Sequence, residues 1–560
     1  MWSPSQIESK PECSTARPMA ATSRHRTTRS TSGSWMPTRT PRVSTTTRPD
    51  CASGHAVDVT ILAMIREPLA IGLREAEAPL VLAIDIGTSG VRAFVFDRRA
   101  RPIGVCIARA EHAVRTSGEG EATLDPQALT RSVFGVIDIA VRRAGRRAAE
   151  IQAVSVCTFW HSLLGIDDRA RPTTRLITWA DARPRSAAAR LRKELDEIAV
   201  HARTGCMLHA SYLPAKLSWL RDADPESFRR TARWLSFGEY LYLQLFGALR
   251  VSHSVASATG LYEQRARTWD REMLEHLRIP SAALSPIDDA ALRDLRRRAA
   301  ERWPALAAVP WLPALGDGAC ANVGAGAVRR DEAALTLGTS GALRVVYPTV
   351  EPPVVRGGWT YRLDATRACA GGAVSNVGNV LTWLAQRFPK LDLEAALARE
   401  ADAHELTALP LLAGDRSPSW NDAARAAIAG MGLGTSELDI AQAMLEGVAY
   451  RIGLVATLVD AALPGVATIV AGGGTGLARP RLIQLCADVI GRPVIASAAG
   501  EGSARGAAIV ALERLGTLAD IGAAATPRGR IFAPRVALRE RFAAAMARQT
   551  RLEKAVRDFS

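Results

Sequence analysis

A Gly-Thr-Ser-Gly turn occurs twice in this sequence, each time between two apolar, β-branched runs. The first copy lies in AIDIGTSGVRAFVFD (residues 83–97) and the second in ALTLGTSGALRVVY (334–347). Each pattern predicts a strand, a tight turn and a second strand. Glycine lets backbone N–H groups approach an anion closely, and Thr and Ser add hydroxyl donors. The two turns therefore supply six candidate phosphate-binding residues: Gly87, Thr88, Ser89, Gly338, Thr339 and Ser340.

Asp85 directly precedes the first turn and ends an apolar strand. A carboxylate at such a place is costly unless a cation or hydrogen-bond donors compensate it. A phosphate-binding turn beside a carboxylate directed at a metal ion explains both features, so Asp85 is a candidate metal ligand.

A third glycine cluster, VAGGGTGLARPRLIQLCADVIG (470–491), follows an apolar strand and opens a helix. Phosphate groups bind well at such helix N-termini. The glycines are contiguous and lack the spacing of a dinucleotide fingerprint, and the chain has no GxxxxGK[ST] loop. Gly472, Gly473 and Gly474 are thus further candidates for nucleotide contact.

Asp317 lies between two glycines in LGDGACANVGAG, after the apolar run VPWLPAL. This position predicts the end of a strand, with room for a substrate hydroxyl beside the carboxylate. Aspartate between glycines is also a common turn former, and both interpretations stay open on this pattern alone.

Strand and helix patterns alternate in both halves of the chain, which is typical of α/β architecture. We expect a helix capped by Asp125, a long helix capped by Ser436, and a final helix from Gly502. The two turns lie about 250 residues apart, too far for a solenoid repeat. The sequence therefore predicts two domains, 79–330 and 331–556, each with one hairpin.

Residues 1–78 are rich in Ser, Thr, Arg and Pro and lack apolar periodicity, so we expect a disordered extension. Three explanations remain: a targeting peptide, a functional tail, or an upstream stretch before a true start near Met64.

The formal net charge is +15, but the arginines are scattered over helical segments, without a basic groove interleaved with aromatic residues. Nucleic-acid binding is therefore not expected, and an anionic substrate would benefit from the positive field. The eight cysteines lack metal-ligand spacing, which favours a reducing cytoplasm. Charged residues interrupt the most apolar stretch near Arg66, and no membrane association is expected.

DIGTS, GDGACANVGAG, TLGTSGAL and AGGGTGLARPRLIQLCADVIGRPV, in this order, resemble the FGGY carbohydrate kinases over about residues 80–515. The resemblance implies two RNase H-like domains of the actin-like ATPase superfamily that flank a catalytic cleft. Sugar would lie mainly on the first domain, and ATP with Mg²⁺ mainly on the second. It also implies that Asp317 is the catalytic base.

The segments CTFWHSLLGIDDRARPTTRLITWADARP, RTGCMLHASYLPAKLSWL and VSHSVASATGLYEQRARTWD resemble the gluconokinase branch. The resemblance implies sugar contacts for Trp160, His161, Trp179, Asp181, Arg183 and Lys216, beside Asp317. Arg183, Lys216 and His161 are the candidates to bind a substrate carboxylate.

Four residues depart from the family pattern in this branch and bear on which sugar is bound. Trp160 stands where relatives usually have Met, and Asp415 where they have Glu. Ser252 stands in a position that is commonly Asp, and Leu213 departs from the signature around Lys216.

D-gluconate is the expected substrate, with 6-phosphogluconate as product. The alternatives are xylulose or another ketose or polyol, and an actin-like regulator that senses sugar without phosphorylating it. We also expect substrate to close the cleft by domain rotation, and a homodimer is a further possibility.

Overall fold

The computed structural model describes residues 69–557, and the structural statements below concern this range. The prediction of a disordered extension falls mostly on residues 1–68, outside the described residues. The last ten residues assigned to that extension, 69–78, instead pack on the first domain. Ile71 N donates to Pro102 O at 3.0 Å, and Arg147 binds the carbonyl oxygens of Leu73 and Ala76. Because Arg147 holds these backbone carbonyls, the folded part begins before Pro79.

The first domain is built on a five-stranded sheet in the order β12-β6-β1-β2-β3. β1 pairs antiparallel with β2 through the predicted hairpin, and parallel with β6 on its other side. The strands of this half are β1 (Leu80–Ile86), β2 (Gly90–Phe96), β3 (Ala108–Glu111), β4 (Arg115–Thr116), β5 (Ala122–Leu124), β6 (Ile151–Thr158), β7 (Leu164–Ile166), β8 (Leu176–Ile177), β9 (Arg233–Leu235), β10 (Tyr262–Glu263), β11 (Thr268–Trp269) and β12 (Leu315–Gly316).

The helices of the first half cover this sheet and form a cap of short helices beyond it. Asp125 caps the first helix by accepting hydrogen bonds from Gln127 N and Ala128 N, as predicted. The helices are α1 (Pro126–Ala144), α2 (Arg185–Glu194), α3 (Glu197–Thr204), α4 (Leu213–Ala223), α5 (Pro225–Arg230), α6 (Phe237–Phe246), α7 (His253–Ala256), α8 (Arg271–Leu277), α9 (Arg297–Arg302) and α10 (Asp317–Gly324).

The second domain is built on a seven-stranded sheet in the order β15-β16-β14-β13-β19-β20-β21. β13 and β14 form the second predicted hairpin, and β19 and β20 run parallel to β13. The strands are β13 (Glu332–Leu337), β14 (Gly341–Pro348), β15 (Trp359–Asp364), β16 (Arg367–Val374), β17 (Thr407–Leu409), β18 (Ala427–Ala429), β19 (Thr468–Gly472), β20 (Val494–Ser497) and β21 (Arg528–Phe532).

The helices of the second half include the long helix that Ser436 was expected to begin. Ser436 and Asp439 form a reciprocal capping box at its start, which confirms that prediction. The helices are α11 (Gly378–Arg387), α12 (Leu393–Ala398), α13 (Glu437–Ala462), α14 (Gly474–Leu477), α15 (Pro480–Ile490), α16 (Gly502–Arg514) and α17 (Arg539–Val556). The expectation that the helix from Gly502 is the last one is wrong, because β21 and α17 follow it. Within residues 69–557, no helix is long and apolar enough to cross a membrane.

The two sheets share a core of five strands, to which the second sheet adds β15 and β21 at its edges. The shared core confirms the prediction of two RNase H-like domains. In each, a hairpin and a third antiparallel strand lie on one side, and two parallel strands lie on the other. The repeated Gly-Thr-Ser-Gly turns occupy corresponding hairpins of the two sheets.

One helix of the second half packs on the first sheet. α16 lies against α10 and against β1 and β6. The approach is close enough that a Cβ at Gly324 would lie 1.9 Å from Gly502 O, and one at Gly506 would lie 1.8 Å from Cys320 O. α16 thus joins the two domains beneath the residue that begins α10, Asp317.

Candidate active site

A cavity of about 270 Å³ lies between the two hairpins and contains Asp317. Thr88 contributes to it from the first hairpin and Ser340 from the second. Eight aromatic side chains from both domains line it as well: Phe159, Trp160, His161, Trp179, Tyr212, Trp359, Tyr361 and Trp420. The structure therefore brings the two hairpins and the aspartate together, although they are far apart in the sequence.

Asp317 is the first residue of α10, directly after the short strand β12. The glycines beside it make room for Trp160: a Cβ at Gly316 would lie 1.9 Å from the Trp160 ring, and one at Gly318 would lie 2.4 Å from it. Gly318 N donates to Asp317 Oδ1 at 2.7 Å. Burial raises the pKa of Asp317 to about 7, with a further contribution from the charge of Asp85, while Arg344 acts in the opposite direction.

Asp85 is buried at the end of β1, with Arg92 directly opposite it on β2. Arg92 Nη1 donates to Asp85 Oδ2 at 3.0 Å, and Cys157 Sγ donates to Oδ1 at 3.3 Å. Burial raises the pKa of Asp85, and the charge of Arg92 opposes this shift. Asp85 does not itself line the cavity, but its charge acts on Asp317. Carboxylate oxygens of this kind suit a hard cation such as Mg²⁺.

The hairpin turns are closed by short backbone hydrogen bonds, Gly87 N to Gly90 O at 2.9 Å and Gly338 N to Ser340 O at 3.0 Å. The third glycine cluster lies against the second of these hairpins. Gly473 has a φ of 93°, and a Cβ there would lie 2.5 Å from Leu337 O, which requires glycine. Gly472 and Gly474 border open space, so backbone at both sides of Gly473 is accessible to a ligand.

Trp160 and His161 follow β6, and Trp179 follows β8; all three line the cavity. Trp160 Nε1 donates to Ser254 O at 3.1 Å. His161 has a φ of 63°, and its Nδ1 lies 2.6 Å from Ala258 O. Burial lowers the pKa of His161 to about 3, with a smaller contribution from Lys216. The ring is therefore neutral, Nδ1 is the donor to the carbonyl, and Nε2 can accept a hydrogen bond.

The remaining three predicted sugar contacts do not line this cavity. Asp181 is buried and forms a bidentate pair with Arg183, whose guanidinium stacks on Trp219 at 4.5 Å beside a separate cavity. Lys216 is fully buried and donates from Nζ to His161 O. Each of these three side chains is held by protein groups, and their direct contact with a sugar stays a prediction.

Two arginines of the second domain line the cavity, although they were not among the sequence candidates. Arg344, on β14, donates to Asn322 Oδ1 at 3.0 Å and to Thr336 Oγ1, and its Nη1 lies beside Gly318. Arg416 lies in the segment between β17 and β18. A charged residue inside the apolar strand after the second Gly-Thr-Ser-Gly turn is the signal that could have identified Arg344.

β15 supplies a further wall of the cavity and joins the two domains. Trp359 and Tyr361 stack with ring centroids 4.2 Å apart, and the Tyr361 and Tyr212 hydroxyls are 2.5 Å apart. Asp415, one of the four residues that depart from the family pattern, does not line the cavity. It pairs with Arg451 at 2.5 Å in the interior.

Among the described residues, Asp402, His404 and Glu446 form the single cluster of three potential metal ligands. Leu406 N donates to His404 Nδ1 at 2.9 Å, so the proton is on Nε2, which lies 3.2 Å from Glu446 Oε2. The imidazole thus has no free lone pair for a metal ion, and the hydrogen bonds account for the cluster.

Comparison with known proteins gives one consistent result. The model of the FGGY family of carbohydrate kinases matches residues 80–324 with its N-terminal domain and residues 333–513 with its C-terminal domain. The gluconokinase of Bacillus subtilis (strain 168) is 26% identical over 78% of this chain and 88% of its own length. A glycerol kinase of Trichlorobacter lovleyi is 31% identical over 77% of this chain and 89% of its own.

Solved structures of kinases share the fold. The structures of a gluconate kinase and of a ligand-bound xylulose kinase from Lactobacillus acidophilus each superpose with a TM-score of 0.79. Each is 23% identical in sequence and covers 85% of this chain and 98% of its own.

Proposed function

Because the chain belongs to the FGGY family of carbohydrate kinases, we propose that it phosphorylates D-gluconate with ATP and releases 6-phosphogluconate. Membership of the family gives the reaction class, an ATP-dependent phosphoryl transfer to a carbohydrate hydroxyl. The choice of gluconate is supported by the similarity to gluconokinases over most of the chain.

The observation that carries the proposal is the presence of Asp317 in one cavity with Thr88 and Ser340, one residue from each hairpin turn. A base beside two anion-binding turns is the arrangement that phosphoryl transfer to a hydroxyl needs. A protein that only senses sugar has no use for the base, so a kinase explains this cavity better than a regulator does.

Asp317 acts as general base in this proposal. The substrate hydroxyl oxygen attacks the γ-phosphorus, its proton passes to the Asp317 carboxylate, and the bond from the γ-phosphorus to the bridging oxygen of ADP breaks. A pKa of about 7 leaves Asp317 substantially ionised at neutral pH and still basic enough to take the proton. Such a base contributes on the order of 10²–10⁴-fold to the rate.

Asp85 would hold Mg²⁺, which neutralises phosphate charge when it is bound. Gly87, Thr88 and Ser89 on one side, and Gly338, Thr339 and Ser340 on the other, bind the phosphates in this proposal, with Gly472, Gly473 and Gly474 behind the second turn. Backbone donors fixed in advance need no reorganisation as charge develops.

Trp160, Trp179 and His161 orient the sugar. The aromatic rings exclude water from the cavity, and His161 Nε2 accepts a hydrogen bond from a sugar hydroxyl. Lys216 supports His161 by holding its backbone carbonyl, which gives it an indirect role.

A neutral ketose such as xylulose is the second candidate. It is favoured by the aromatic wall of the cavity, which suits the apolar faces of an uncharged sugar. Of the two candidates, gluconate alone carries a carboxylate, so the difference in charge distinguishes them.

The test is MgATP consumption by the purified chain against gluconate, xylulose, glycerol, fuculose and rhamnulose. Asp317→Asn is assayed alongside Asp168→Asn, which changes an exposed aspartate. We expect turnover with gluconate, lost in Asp317→Asn and kept in Asp168→Asn. Turnover with xylulose alone would support the second candidate, and no turnover with any sugar would contradict both.

A further inference from the structure

The guanidinium of Arg416 reaches the cavity of Asp317 from the second domain. It lies 5.3 Å from the centre of the Trp179 ring. Its hydrogen bonds to protein groups are long: Nε lies 3.4 Å from Ser375 Oγ, and Nη2 lies 3.4 Å from Val374 O. These weak contacts leave most of the donor capacity of the guanidinium to a ligand.

No carboxylate of the described residues neutralises Arg416. The adjacent carboxylate, Asp415, is held by Arg451 at 2.5 Å and by Ser419. Burial lowers the pKa of Arg416 from its usual value, yet an arginine in a protein stays charged. The charge of Asp415 opposes this shift but does not cancel it. A partly buried cation without an ion-pair partner is costly, so an anionic ligand would offset a charge that the protein compensates only in part.

The two arginines of the cavity contact different walls. Arg344 is anchored to Asn322 and Thr336 next to Gly318, on the side of the base. Arg416 packs instead on Trp179, a residue of the sugar wall in the first domain. These different partners favour Arg344 for the reacting end of a substrate and Arg416 for another part of it.

We propose that Arg416 binds the carboxylate of a sugar acid and so determines the preference of the cavity for aldonic acids over neutral sugars. The inference rests on the proposed function, because it assumes a sugar in this cavity. It replaces Arg183 and Lys216 as the cationic partner, since both are held by protein groups elsewhere. The planar guanidinium offers two parallel donors to a carboxylate, and the acid end of the substrate then lies between the two domains.

The experiment compares gluconate with glucitol, its uncharged polyol analogue, as acceptors in the full chain. Arg416→Met removes the charge, and Arg416→Lys keeps a cation but removes the two parallel donors of the guanidinium. Arg425→Met is the matched control, because Arg425 belongs to the same segment but is exposed and lies outside the cavity. Thermal unfolding midpoints report whether each variant is folded.

We expect Arg416→Met to lower kcat/KM for gluconate about 100-fold or more, mainly through KM, as is usual when one partner of a buried charge pair is removed. The kcat/KM for glucitol should stay within a few-fold of that of the unchanged chain, so the preference for gluconate over glucitol is lost. The kcat/KM of Arg416→Lys for gluconate should lie between those of Arg416→Met and the unchanged chain. Arg425→Met should match the unchanged chain. Gluconate binding to Asp317→Asn, followed by tryptophan fluorescence, should weaken in parallel when Arg416→Met is added.

Three outcomes would overturn the inference: an equal loss on both acceptors, no loss on gluconate, or a rise in the KM for ATP alone. Failure of the proposed function is distinguishable. If the unchanged chain phosphorylates a different aldonic acid, gluconate is the wrong acceptor, but the loss of acid preference in Arg416→Met still supports the role of Arg416. If it phosphorylates neutral sugars alone, both proposals fail.

Discussion

Arg92 lies directly opposite Asp85 in the antiparallel pair of β1 and β2, and its Nη1 is 3.0 Å from Asp85 Oδ2. The carboxylate that is proposed to hold Mg²⁺ thus has an internal cation supplied by the same hairpin. Arg92 also lies 3.8 Å from Glu501 Oε1, which links it to the segment before α16.

Arg92→Leu should weaken the apparent affinity of the enzyme for Mg²⁺, and more strongly at the lower of two pH values than at the higher. Burial raises the pKa of Asp85 and Arg92 opposes the shift, so removing Arg92 leaves more of the carboxylate protonated at the lower pH. Titrations of Mg²⁺ at fixed ATP would measure this, with the exposed Arg98→Leu as control. A loss of equal size at both pH values would contradict the explanation.

The kcat/KM of the enzyme should rise with pH through about 7. Asp317 must be ionised to accept a proton, and its pKa is raised to about 7 by burial and by Asp85. Arg344→Gln should move this rise of kcat/KM, the acidic limb of the pH profile, to higher pH, because Arg344 lowers the pKa of Asp317. Arg330→Gln, which changes an exposed arginine shortly before β13, should leave the profile in place. An unmoved limb in Arg344→Gln would exclude this electrostatic coupling.

Asp317→Asn should raise the thermal unfolding midpoint at pH 8 while it abolishes turnover. The pKa of Asp317 is higher in the folded chain than in the unfolded chain. Its ionisation therefore lowers the free energy of unfolding of the protein as pH rises from about 4 to about 7. The amide has no such ionisation, so the gain should shrink as the pH is lowered toward 4. Scanning calorimetry over this range measures the difference, and a gain that grows toward low pH would refute the assignment.

Lys216→Met should raise the KM for the sugar about 10-fold or more and leave the KM for ATP unchanged. Lys216 holds the carbonyl of His161, a residue in the left-handed region with a φ of 63°, and its loss would release a strained backbone at the sugar wall. Lys193→Met, on α2, is the control. A change confined to the KM for ATP would show that Lys216 does not act through His161.

Binding of MgATP and sugar together should reduce the radius of gyration in solution scattering. The two hairpin turns belong to separate sheets, and both must contact the phosphates for transfer, which favours rotation of the domains around the substrate. Asp317→Asn provides a complex that does not turn over during the measurement. Superimposable profiles with and without ligands would argue against closure.

Local features of the sequence were sufficient for the elements and for the duplication. The caps at Asp125 and Ser436 act within one turn of their helices, so short-range hydrogen bonding predicts them without the rest of the chain. The repeated hairpin at Gly87 and Gly338 is likewise encoded by adjacent residues, and the two sheets share the topology that the repeat predicts.

Which side chains line the cavity depends on the tertiary structure. The sequence placed Arg183 beside Trp179, but the side chain turns to Asp181 and Trp219 on the other side of the segment. Arg416, more than two hundred positions further along, packs on Trp179 instead. A motif specifies which residue types are near in the chain, whereas the direction in which each side chain points depends on packing between distant elements. Asp317 could therefore be singled out from the sequence as a candidate, whereas the two arginines that line the cavity with it, Arg344 and Arg416, could not.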